Sequence, residues 1–110
     1  MNIQHTTLTA GRWTTLTFFE QMANVGSEID RAINWNRKNN REFALKAFDR
    51  ALELLDLTIS DVKNRKRLKE LCRTREALAD FFYFNNEYRS SEKIWHNYFF
   101  SFAYAARLNR

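Results

Sequence analysis

The stretch "REFALKAFDRALELLDLTI", Arg41 to Ile59, reads as one amphipathic helix. Ala44, Ala47, Phe48, Ala51, Leu52, Leu55 and Ile59 recur at three- and four-residue steps, the spacing of a single helical face. Glu42 and Lys46 stand four apart on the outer face, where they can pair. The small residues Ala44, Ala47 and Ala51 let a neighbouring helix come close.

The segments on either side have the same character. "GRWTTLTFFEQMANVGSEIDRAINWNRK", residues 11–38, carries Phe18, Met22, Val25, Ile29 and Ile33 on one stripe, widened by Leu16 and Phe19. Its threonines lower helix propensity, which leaves the first turn open. After "SDVKN", with Ser60 or Asp61 as the N-cap, a third helix runs through "RKRLKELCRTREALADFFYF". Leu68, Leu71, Leu78, Phe81 and Phe82 are its inward residues, with Cys72 beside them as a small buried apolar residue. After "NNEYRSS", the fourth helix is "SEKIWHNYFFSFAYAARLN", with Trp95, Phe99, Phe102 and Ala106 on its stripe. Short connections favour antiparallel neighbours, so the expected fold is all-α, a compact antiparallel four-helix bundle. The domain spans 11–110, after a loosely ordered uncharged segment over 1–10.

Composition agrees. A chain of 110 residues suits one core, 45% hydrophobic residues supply it, and no proline interrupts a helix. No apolar run is long enough for a bilayer, and no signal peptide is read. One cysteine cannot form an internal disulfide, which points to a cytoplasmic location. "AINWNRKNNREFALKAFDRALELLD" resembles a single tetratricopeptide repeat, through Ala32, Trp35, Ala44, Phe48 and Ala51. No second copy follows, so it reads as ordinary helical-hairpin packing.

Charge is uneven. Residues 11–60 hold seven bases and seven acids, whereas residues 61–110 hold eleven bases and six acids. "KNRKRLKELCRTR" carries Lys63, Arg65, Lys66, Arg67, Lys69, Arg73 and Arg75 against Glu70 alone. Such a run is either a solvated face or a binding face for RNA, DNA or an acidic protein partner.

Eleven of the seventeen aromatic residues lie between Phe81 and Tyr104. Those on the inward stripe read as core. Phe84, Tyr88, Phe100 and Tyr104 do not all fit it, and an excess of apolar faces predicts an oligomer interface, most simply a homo-oligomer.

"RSSEKIWH" begins at Arg89 and ends at His96. It reads as a helix start, with Ser90 or Ser91 as N-cap and Glu92 at the positive end. It also resembles the R-x(4–6)-H motif of the HEPN family, small all-helical proteins that include metal-independent ribonucleases. The resemblance covers these eight residues, together with size and helical class. It implies two protomers pairing their motifs at a dimer cleft. His96 would be acid or base and Arg89 would stabilise phosphate charge.

No zinc spacing, phosphate loop or Ser/His/Asp set is visible, so no metal or cofactor is expected. His5 marks nothing. The first functional expectation is a basic, non-catalytic accessory or adaptor module, resembling in build the small helical bundles that accompany bacterial reverse transcriptases. The others are a HEPN-like ribonuclease and a purely structural assembly subunit. No membrane role is expected.

Overall fold

The first helix starts at a capping box rather than at Gly11. The Thr17 amide donates to Glu20 Oε1 (2.9 Å), and the Glu20 amide donates back to Thr17 Oγ1 (3.1 Å). In the computed structural model, which describes residues 11–108, this box opens α1 (Phe18–Arg37). Residues 11–13 are also helical, but the threonine-containing turn after them breaks the run and lets Trp13 fold back into the core. The expected loose segment over 1–10, His5 included, lies outside the described residues.

Asn39 closes the first connection in the left-handed region at φ 61°, which asparagine tolerates better than most residues. Asn40 then caps α2 (Arg41–Ser60) by accepting from the Phe43 amide at 3.0 Å. The three small residues of the α2 stripe, Ala44, Ala47 and Ala51, are all buried, as are Phe48 and Leu55. The close packing they allow makes α1 and α2 a helical hairpin, with Ala32 also buried. Leu52 and Ile59 lie at its half-buried margin.

A 3₁₀ segment (Val62–Arg67), absent from the expected element list, leads into α3 (Leu68–Tyr83). The inward stripe of α3 is Leu71, Thr74, Leu78 and Phe82. Thr74 occupies an inward place that the apolar reading did not give it. Leu68 and Cys72 fall on the flank turned to solvent, so both are exposed, which corrects the inward placement of Leu68 and the burial of Cys72. Phe81 is half-buried on the other flank. At the end of α3, the Arg41 guanidinium donates to the Phe82 carbonyl at 2.6 Å, satisfying one of the helix's terminal acceptors.

Ser91 caps α4 (Glu92–Leu108): the Ile94 amide donates to its Oγ at 3.1 Å. Trp95, Phe99 and Phe102 are buried against α1. Gly26 makes that contact possible. A Cβ at this position would stand 2.5 Å from the Phe99 Cβ, so only glycine lets α4 come this close. The result is an all-α globule with α1 at its centre, packed by α2 on one side and α4 on the other. Its radius of gyration is 13.7 Å, close to the roughly 13 Å of a compact domain of about 100 residues. No strand and no helix long and apolar enough to cross a membrane occur among the described residues.

Candidate functional site

The basic run is built on a buried polar network. Gln21 is fully buried on α1, and its Nε2 donates to the Trp13 carbonyl (3.0 Å) and to Asp61 Oδ2 (2.8 Å). Asn64, 2% exposed, donates through Nδ2 to Gln21 Oε1 (2.8 Å) and to the Thr58 carbonyl (2.9 Å). The Trp13 indole N–H donates to Thr58 Oγ1 at 3.0 Å. Asp61 caps the 3₁₀ segment by accepting from the Lys63 amide at 3.2 Å. Burial alone would raise the Asp61 carboxyl. The hydrogen bonds from Lys63 and Gln21 and the charge of Lys63 outweigh it and hold the group below the usual carboxylate range. The segment that carries the first bases is thus tied from beneath to both α1 and α2.

The seven bases separate into two sets. Lys63 is spent inside the molecule, donating from Nζ to Asp61 and to the Thr14 carbonyl. Arg67 covers the Phe18 ring at 4.2 Å and lies 3.9 Å from Glu70. Arg75 forms a two-pronged pair with Asp56 (2.7 and 3.3 Å), and this partner raises its already high pKa. Arg65, Lys66, Lys69 and Arg73 are exposed and form no ion pair or side-chain hydrogen bond among the described residues. Lys66, Lys69 and Arg73 stand three and four apart, so they project from one side of the chain.

Arg89 and His96 have different surroundings. Arg89 sits at φ 55° in the loop before α4 and is exposed. His96 lies in a groove of 760 Å³ between α1 and α4, lined by Asp30, Asn34, Arg37, Glu92 and Lys93 among others. Arg89 is not among the lining residues. His96 Nδ1 is 3.3 Å from Asp30 Oδ1, and its ring stacks on Phe100. Arg37 in the same groove pairs with Glu92 at 2.8 Å. The cations beside His96 are therefore Arg37 and Lys93, which the motif spacing did not indicate.

The loop that carries Arg89 is held by a second buried acid. Asp80 accepts from the amides of Glu87 (2.9 Å) and Tyr88 (3.0 Å). Asn86 and Ser90 exchange a further pair of hydrogen bonds (2.8 and 2.9 Å). Phe84, Tyr88, Phe100 and Tyr104 are all exposed. Phe100 and Tyr104 lie one turn apart on α4. Tyr88 instead lines a separate groove of 430 Å³ between α3 and α4, with Arg73, Thr74, Ile94, Trp95 and Tyr98. In that groove Tyr98 Oη lies 3.1 Å from Thr74 Oγ1 and 3.3 Å from Glu70 Oε2. Burial and the Glu70 carboxylate push the Tyr98 phenol up to about 12.

Sequence reading missed Gln21, Asn64, Asp30 and the unpaired Trp95 N–H, a buried donor with no partner. Gln21 did leave a signal. It stands three after Phe18 and four before Val25, so a polar amide falls on the apolar stripe and needs a buried partner. Among the described residues, no group of three or more His, Cys, Asp or Glu side chains is placed to hold a metal ion. Compared with protein-family models, curated proteins and solved structures, the chain matches none.

Proposed function

We propose that this chain is a small non-catalytic accessory or adaptor protein that binds nucleic acid, RNA or DNA, through Arg65, Lys66, Lys69 and Arg73. The observation that carries this reading is the sorting of the basic run. Three of its bases are engaged by internal partners, and four are exposed and unpaired, two on the braced 3₁₀ segment and two on the following turns of α3. Unpaired bases gathered on a firm support can neutralise successive phosphates and release their counterions. The antiparallel four-helix arrangement and self-association through the exposed aromatic residues of α4 belong to the same reading.

The test replaces Arg65, Lys66, Lys69 and Arg73 with glutamine and measures affinity against salt. Each lost phosphate contact lowers the log–log salt slope by roughly 0.7 to 0.9. An unchanged affinity and slope would sink the proposal. Binding that persists only to an acidic protein would move the same face to that class of partner.

A metal-independent ribonuclease of the HEPN type is the second reading, with His96 and Arg89 acting across a dimer. The Asp30–His96 contact favours it, since a carboxylate beside one ring nitrogen orients the other for proton transfer. It requires RNA cleavage in EDTA that is lost in His96→Ala, with circular dichroism unchanged. Absence of cleavage by the wild type rules it out. If neither binding nor cleavage is seen, a purely structural assembly subunit is what remains.

A further inference from the structure

Resting on the nucleic-acid reading above, we propose that the groove between α3 and α4 holds an unpaired base of a single strand whose phosphates follow Lys66, Lys69 and Arg73. Arg73 connects the two features, because it belongs to the unpaired basic set and also lines the groove. A strand that tracks the basic face therefore arrives at the groove mouth.

The lining suits a base. Tyr88 is 62% exposed and Ile94 53% exposed. No aromatic-ring contact of Tyr88 occurs among the described residues, and its exposure leaves much of the ring to solvent. Trp95 and Tyr98 are packed edge-on to each other at 5.9 Å and add aromatic surface to the lining. The volume of 430 Å³ falls in the range of about 300–1,000 Å³ typical of small-ligand clefts. Glu76 also lines it and can accept hydrogen bonds from the edge of a base. Asp80 accepts from the Tyr88 amide and so places the backbone that carries the ring beside the groove.

The groove around His96 lacks this combination. Around His96, Asp30 faces the histidine and Glu92 holds Arg37, so much of the charge is internally matched. Duplex bases are stacked on one another and cannot enter a side-chain slot, so the α3–α4 groove selects for single strands.

The test is fluorescence anisotropy with one labelled oligonucleotide, used single-stranded and again annealed to its complement. Wild type is compared with Tyr88→Ala and Tyr88→Phe. Tyr88→Ala is expected to weaken single-strand binding by about 5- to 150-fold. Its duplex affinity and salt slope stay at wild-type values, since no phosphate contact is removed. Tyr88→Phe keeps the ring and binds like wild type, which separates stacking from the hydroxyl's contact with Glu76. Equal affinity of wild type and Tyr88→Ala for the single strand overturns the base slot while leaving the basic face intact as a binding surface. An equal loss on both strands does the same. If the wild type binds neither strand, the nucleic-acid reading itself falls and the slot falls with it.

Discussion

The connections before and after α3 use the same device in different ways. Each is organised by a buried carboxylate. Before α3, Asp61 gathers Lys63 from its own segment and Gln21 from α1, forty residues earlier. After α3, Asp80 gathers amides only seven and eight residues ahead, and the loop closes on itself. The first connection is part of the core, because its partners are core residues. The second is a local loop that the core only borders. Side chains carried by the first inherit the rigidity of α1 and α2, whereas Arg89 and Tyr88 depend on one acid and one Asn86–Ser90 exchange.

Substitution should expose that difference. The largest effect is expected from Asp61→Ala, a loss of about 3 kcal/mol in urea unfolding, because a buried amide and a lysine lose a charged partner together. Asp80→Ala should cost about 2 kcal/mol, since the amides it frees lie in a loop where water can replace part of what is lost. The reverse order would mean that the loop after α3 is the more deeply integrated of the two. The smallest effect is a pH dependence. The folded-state pKa of Asp61 lies below its ordinary value of 3.8, so its stabilising contribution is fully present above 3.8 and drains away as pH falls from there through the lower folded-state value. Acid titration of Asp61→Asn should lack this component, and identical profiles for variant and wild type would remove the charge from the explanation.

Much of the fold was legible because apolar spacing is a local property. The α2 stripe around Phe48 and Leu55, and the α4 stripe of Trp95, Phe99 and Phe102, follow directly from three- and four-residue steps. Caps were legible in part: of Ser90 and Ser91 it is Ser91 that caps α4, whereas Asp61, read with Ser60 as the cap of the third helix, caps the 3₁₀ segment, and α3 itself begins at Leu68 without a side-chain cap. The network of Trp13, Gln21, Thr58 and Asn64 was not, since its members meet only after α1 and α2 have packed. Leu68 and Cys72 were misplaced because the buried stripe of α3 runs through Thr74, a polar residue, and this turns their flank to solvent. At the candidate site, sequence supplied the seven bases, but it could not divide them. That division depends on Asp56 and Phe18, which approach from other elements, and on Asp61, which Gln21 of α1 helps to hold beside Lys63.

The solvent-facing Cys72 has a practical consequence. It is the chain's one cysteine and lies on α3 between Lys69 and Arg73. A thiol-directed dye or spin label would therefore attach at a single position on the same helix as the unpaired bases. A probe placed there reports on the surroundings of Lys69 and Arg73, and the folded chain provides that attachment point without an engineered cysteine.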